Sequence, residues 1–289
     1  MLNIITTILI RLYKKSKSFC LRDPSAIYLI QKGKIELKYL NNQTGSFFLF
    51  DDYNHLWHSS ENGIQKFNLD GFHEYPVSSV ADIWAFIRTS KGKTFFSGLN
   101  QGLFEWATDI KGHLQKKKIT NPPGIDNLYY FSAIERNNGE LYFAHARGII
   151  KIDKEGKVSK IEGTTSCLNL YHDTVKNMTY NATHNGFQMI DHFGHVQTFS
   201  DTVFGEKHST SVLPVGNLIY IGSYKRFCSY DTTKKKYRNL NFHFKNKGLP
   251  GAISLAYGYY GNVWVGSREG LFVYNIKKGC SGTDLPGIN

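Results

Sequence analysis

Proline is scarce in this sequence, at seven of 289 residues. No low-complexity tract interrupts it, which leaves little room for disordered linkers. No apolar run is long enough to cross a bilayer as a helix; the most apolar opening stretch, residues 2–13, is too short, so no membrane span is expected. That stretch also lacks a basic region before it and a small-residue cleavage site after it, so no signal peptide is visible. Cysteine is sparse and scattered, at positions 20, 167, 228 and 280. There is no Cys-x-x-Cys and no Cys/His cluster at metal-ligand spacing. Cys228, beside Phe227 in an apolar run, is expected to be buried and inert. Glycine loops of the Walker or dinucleotide type are absent, as is a Gly-x-Ser-x-Gly elbow. His55/His58 and His192/His195 make poor chelates, because strand alternation puts residues three apart on opposite faces. Asp51-Asp52 reads as turn capping rather than a carboxylate pair. No catalytic group, metal or cofactor is therefore expected.

What the sequence does have is aromatics, at 15%, and 27 glycines. They are arranged periodically. The run Gly261–Tyr274 places Trp264 in a short apolar strand, the small Gly266 two residues on, then Gly270 and Leu271 after a tight turn. Without gaps, Trp264 falls on Trp57, Phe96, Tyr142, Tyr180 and Tyr220. Gly270 falls on Gly63, Gly102, Gly148, Gly186 and, once, Arg226. From Gly63 the turn position steps by 39, 46, 38, 40 and 44 residues. A period of roughly 40–45 residues with four strands per unit belongs to propellers. The runs are short, β-branched and aromatic, and bounded by Gly, Asn and Asp, which is strand rather than helix chemistry. The expected fold is all-β: a single seven-bladed propeller of four-stranded blades spanning residues 1–289. The aromatic column is expected to pack between blades.

Clear repeats occupy residues 47–276 and a degenerate first repeat residues 18–46, with Tyr28 in the aromatic column and Ile35 in the Leu271 column. The last repeat lacks an obvious outer strand, and the opening strand, residues 2–12, lacks a hairpin of its own. Ile4–Ile10 is therefore expected to pair with Leu271–Ile276 and close the ring, removing exposed edges. Leu285-Pro286-Gly287-Ile288 echoes Leu249-Pro250-Gly251-Ala252, as expected of a domain cut from, or a remnant of, a longer repeat protein.

The segments Gly248-Leu249-Pro250 and Gly261-Asn262-Val263-Trp264-Val265-Gly266-Ser267-Arg268-Glu269-Gly270-Leu271-Phe272-Val273-Tyr274-Asn275 resemble the two-component regulator propeller repeat. The resemblance is close there, fair over Asp52–Phe67 and Gly92–Trp106, and loose in the Tyr142, Tyr180 and Tyr220 copies. It implies the extracytoplasmic sensor part of hybrid histidine kinases, found largely in Bacteroidetes, which detect polysaccharide breakdown products. The sequence has room for one propeller and shows no helical kinase, receiver or DNA-binding segment, so phosphoryl relay is not expected of it. Other domains of a larger sensor would be its protein partners.

Three functional readings stand. The first is a non-catalytic sensor propeller that binds an oligosaccharide. The second is a protein-interaction platform without a small ligand. A propeller lyase is the remaining alternative. The net charge of +12 admits anionic partners. Lys116–Lys118 and Lys234–Lys236, however, fall in turns or outer strands, where lysine protects an edge, and no nucleic acid is expected. In a propeller, the turns before the column glycine share one face. Those turns carry Arg147, His184, Lys225, Arg226 and Arg268. Converging cations would suit an anionic ligand, such as a uronic-acid or sulfated oligosaccharide. Tyr129, Tyr130 and Tyr259 are the candidate stacking platforms. The alternative is that these are ordinary solvated turn residues.

Overall fold

A computed structural model describes residues 83–108, 114–184, 186–200, 209–224, 226–240, 251–258, 261–267, 270–277 and 280–282. It also describes strands between residues 9 and 73 and a short ladder of His243–Phe244 with Lys247–Gly248. Among the described residues there is no helix long and apolar enough to cross a membrane. There are seven four-stranded sheets among the described residues, each an antiparallel meander in chain order. The first sheet lies within residues 9–40, the second within 48–73, the third within 83–118 and the fourth within 130–160. The fifth lies within residues 167–200, the sixth within 209–239 and the seventh within 254–282. The architecture is thus all-β and propeller-like. The chain divides into two compact units, one of residues 1–44, 184–187 and 200–289, the other of residues 45–183 and 188–199.

In the second unit, the first strands of the third, fourth and fifth sheets stand side by side: Ile83–Arg88, Tyr130–Glu135 and Cys167–Asp173. The second strands are the most deeply covered. Thr94–Gly98 and Leu141–His145 are buried along their whole length. The aromatic column accounts for this. Phe96, Tyr142 and Tyr180 are 0–2% exposed, and burying each large side chain contributes about 1.5–3 kcal/mol. Phe95 meets Phe143 from the neighbouring sheet at 6.1 Å between ring centroids. In the other unit, Tyr220 and Trp264 occupy the same column and are likewise buried. The expected packing role of the column therefore holds wherever the side chains are described; Trp57 lies outside them.

The column glycine has two physical reasons. Gly102 and Gly148 adopt φ of +91° and +131°, which a side chain disfavours. A Cβ on Gly102 would lie 2.5 Å from Asn127 Oδ1, and one on Gly148 would lie 2.8 Å from Thr164 Oγ1. In each case the crowding residue belongs to the link that leads to the next sheet. Arg226 stands in this column without a left-handed φ. There Ser223 closes the turn instead, its Oγ accepting from Arg226 N–H at 2.9 Å.

The ends of the chain differ from expectation. Leu9–Tyr13 pairs with Ser18–Arg22 and forms the first strand of the first sheet. It stands beside Ser254–Tyr257, the first strand of the seventh sheet. The outer partner of Gly270–Asn275 is Cys280–Gly282. The opening strand therefore does not complete the last sheet; residues 2–8 lie outside the described set. Locality explains the outcome, because a hairpin to the adjacent strand closes a far shorter loop than pairing across the chain. The degenerate repeat shifts with it: Ala26–Gln31, with Tyr28, is a third strand and Lys34–Leu40 a fourth.

Candidate functional site

The first strands of the third to sixth sheets carry one residue more than their partners require. Gly98 pairs with Ile83 and Ser97 with Ala85, leaving Trp84 as the extra residue. The same irregularity falls at Phe131, Leu168 and Thr210 in the next three sheets. Bulges re-aim side chains and recur beside binding sites. In the second unit they gather aromatics. The Trp84 ring lies 5.6 Å from Phe131 and 5.8 Å from Tyr129, and Tyr129 lies 5.9 Å from Phe131 with the two planes 3° apart. Tyr129 is 38% exposed and the preceding Leu128 is 40% exposed.

A charged network adjoins this cluster. Ala146 N–H donates to the Tyr129 main-chain oxygen at 3.1 Å, which brings the His145–Arg147 turn against it. Arg147 Nη2 lies 3.0 Å from Asp126 Oδ2, and Arg147 Nη1 donates to the Gly124 oxygen at 3.4 Å. The other Asp126 oxygen accepts from Leu128 N–H at 3.1 Å and faces His145 Nε2 at 3.2 Å. His145 is fully buried. Its Nδ1 accepts from Arg147 N–H at 3.0 Å, so the ring is the neutral tautomer with its proton on Nε2, toward Asp126. Burial pushes its pKa down, against the pull of the Asp126 carboxylate.

The expected site residues meet different fates. Arg147 is exposed but already paired with Asp126. Tyr129 is placed to offer a ring face. Tyr130 is not: it is 1% exposed, packs edge-on to His145 at 4.8 Å and donates its hydroxyl to Asn121 Oδ1 at 2.6 Å. The platform expectation for Tyr130 is therefore corrected. An even residue of the strand faces the packed sheet interior here, and desolvation also raises its pKa. His184 is exposed and Arg226 half-buried, both in the other unit. Lys225, Arg268 and Tyr259 lie outside the described residues. Sequence reasoning missed Trp84, Phe131 and Asp126. The first two depend on strand register, and Asp126 lies in a link that does not repeat. Among the described residues, no group of three His, Cys, Asp or Glu is placed to hold a metal ion.

No protein-family model matches the sequence, and no curated protein sequence matches it. Solved structures do match. The extracellular domain of a putative hybrid two component system from B. thetaiotaomicron superposes with a TM-score of 0.77 at 13% identity, over 94% of this chain and 38% of that one. The chain has the same fold. A second such domain from B. thetaiotaomicron gives a TM-score of 0.72 at 13% identity, covering 94% of this chain and 40% of that one. The chain thus spans about 40% of the length of those extracellular domains. A virginiamycin B lyase from Staphylococcus aureus, a catalytically inactive form with quinupristin, gives 0.73 at 12% identity. It covers 94% of this chain and 95% of that one.

Proposed function

We propose that the seven sheets close into one seven-bladed ring, and that the chain is a non-catalytic, ligand-binding sensor module that recognises an oligosaccharide. The observation that carries the reading is the rim of Trp84, Tyr129 and Phe131 beside the Asp126–Arg147 pair. Aromatic faces stack on the apolar side of a sugar ring, while a carboxylate and a guanidinium side by side accept from and donate to neighbouring hydroxyls. The fold shared with the extracellular domains of hybrid two component systems supports a sensing role. Chemistry at this rim is disfavoured, because the His145 imidazole is buried and its Nδ1 is occupied by Arg147 N–H.

The charge at this rim is balanced, Arg147 against Asp126. Calorimetry with neutral and acidic oligosaccharides tests the reading. Binding to native protein should weaken about tenfold or more in Trp84→Ala and in Tyr129→Ala. Binding that both variants retain in full overturns the site. The second reading, a platform for another protein, is favoured by the exposure of Leu128 next to Tyr129. It gains if no sugar binds while Leu128→Asp abolishes association with a neighbouring sensor domain.

A further inference from the structure

Below the exposed Asp126–Arg147 pair of the rim lies an imidazole that no ligand can touch. The His145 side chain is 0% exposed, against 29% for Asp126 and 60% for Arg147. The Tyr130 ring packs against it at 4.8 Å between centroids, and the Tyr130 hydroxyl is tied to Asn121 Oδ1 at 2.6 Å. Asn121 Nδ2 in turn donates to the Asp126 main-chain oxygen at 2.7 Å and to Asn127 Oδ1 at 3.2 Å. The imidazole, the link of residues 121–128 and the start of the first strand thus form one closed frame, and the ring is not free to swing toward water.

The two ring nitrogens differ. Nδ1 accepts from Arg147 N–H at 3.0 Å, inside the turn that joins His145 to its strand partner Gly148. Nε2 lies 3.2 Å from Asp126 Oδ1 without completing a hydrogen bond. The neutral ring carries its proton on Nε2, so a second proton enters only at Nδ1. There it meets Arg147 N–H, donor against donor, with no water to relieve either. Because the frame behind the ring is closed, the exposed Arg147 turn is the part that gives. Ala146 N–H, in the same turn, donates to the Tyr129 main-chain oxygen at 3.1 Å, so the displacement reaches the aromatic cluster of the rim.

Among the described residues, few charges face the ring. The link brings Asp126, which favours the imidazolium, and the turn brings Arg147, which opposes it. The first strand brings Tyr130, uncharged, its pKa raised by burial. The third strand brings Gly148, against which the outer strand lays Lys160: a Cβ on Gly148 would stand 2.9 Å from Lys160 Cε. Lys160 is therefore a second cation on this face of the sheet. From the third sheet, Ser97 bonds the Tyr130 main-chain oxygen and carries no charge. Burial is the largest influence on the ring and keeps it neutral at and above the ordinary 6.5.

We infer that His145 is the positioning residue of this rim: neutral, it holds the Arg147 turn in the arrangement a sugar meets, and on taking a proton at Nδ1 it lets that turn go. Ligand is held at neutral pH and released in acid. The inference rests on the oligosaccharide reading of the rim and adds its regulation.

The first arm of the test uses no ligand. NMR of the full chain follows the His145 ring nitrogens, the Arg147 amide and the Trp84 indole N–H from about pH 7.5 to the onset of acid unfolding. Arg147 and Trp84 should shift with the midpoint of His145. His145→Asn keeps an acceptor for Arg147 N–H but cannot take a proton, and it should show no such shift. A ring that protonates while Arg147 and Trp84 stay unmoved overturns the inference, as does a ring that stays neutral until the chain unfolds. The second arm is calorimetry with maltohexaose, cellohexaose and xylohexaose. A hexasaccharide that binds should lose affinity about tenfold for each pH unit below the His145 midpoint, and His145→Asn should abolish that dependence. Constant affinity across the midpoint overturns the inference and leaves the oligosaccharide reading standing. Binding of none of the three counts against that reading instead, and the ligand-free arm then decides the inference alone.

Discussion

Arg136 and Asp191 tie the fourth sheet to the fifth: the Arg136 guanidinium, almost wholly buried, donates from Nη2 to the main-chain oxygen of Asp191 at 3.0 Å. The adjoining turn adds to the tie, with Asn137 Nδ2 donating to the Thr174 oxygen at 2.7 Å. Between them, one turn of the fourth sheet bonds two turns of the fifth.

Arg136→Ala should therefore destabilise by about 3 kcal/mol, since it deletes a buried charge that also serves Glu140 and Tyr142. Arg136→Lys should recover little, because an ammonium cannot reach three acceptors in one plane. Urea unfolding of the three proteins checks this, and a cost for alanine within about 0.5 kcal/mol of zero contradicts it.

Gly148→Ala and Gly156→Ala should differ. Both glycines have positive φ, but a Cβ on Gly148 meets Thr164 and Lys160 whereas one on Gly156 meets nothing within 4 Å. The Gly156 change should cost about 1 kcal/mol, from backbone conformation alone. The Gly148 change should cost about 2–3 kcal/mol. Thermal melts read the difference.

Acid should weaken the fold through two histidines. Burial lowers the pKa of His145 and of His172 below the ordinary 6.5. Both are held neutral in the folded chain, so between the folded and unfolded values the unfolded chain binds more protons. Their contribution is present above about pH 6.5 and is lost as pH falls through the lowered folded values. His145 faces Asp126, Arg147 and the Tyr130 ring, and only Asp126 favours its charged form. Melting temperatures measured on either side of that range should fall on acidification. His145→Gln should be less stable at neutral pH and show a shallower fall, with His172 supplying the remainder.

Cys167 and Cys228 should resist thiol reagents in the native state. Both are buried and free, and full desolvation raises the Cys167 pKa well above the usual thiol value. Labelling with a thiol-specific reagent should report them only when denaturant is added.

The fold was legible because the repeat writes itself in residues that sterics allow little freedom. A bulky ring must fill the space between sheets at Phe96, Tyr142 and Tyr180, and a glycine must start the next strand at Gly102 and Gly148. The ends were not legible. Cys280–Gly282 is a three-residue edge strand of small side chains, with no apolar alternation to announce it. With that strand invisible, the opening strand, residues 2–12, was given to the last sheet, whereas its described part, Leu9–Tyr13, pairs with Ser18–Arg22. The candidate site was half legible. Arg147 and Tyr129 follow from the position of the turn. Trp84 and Phe131 are re-aimed by an extra residue that shows only once the strands are paired. Tyr130 was misread because adjacent residues of a strand face opposite sides, and one residue decides between core and rim.

The crowding at the column glycines gives the chain a direction. Asn127 covers Gly102, Thr164 covers Gly148, and the Ala252 oxygen lies close over Gly222. Every one of these coverings comes from the stretch running on to the following sheet. The third, fourth and sixth sheets are thus each roofed by the stretch that follows them, as shingles overlap down a slope. Removing the stretch that follows one of these three sheets bares its turn, whereas removing the sheet before it leaves that turn covered. Truncation at these three sheets should therefore be asymmetric, costing more where it removes the covering stretch than where it removes the preceding sheet.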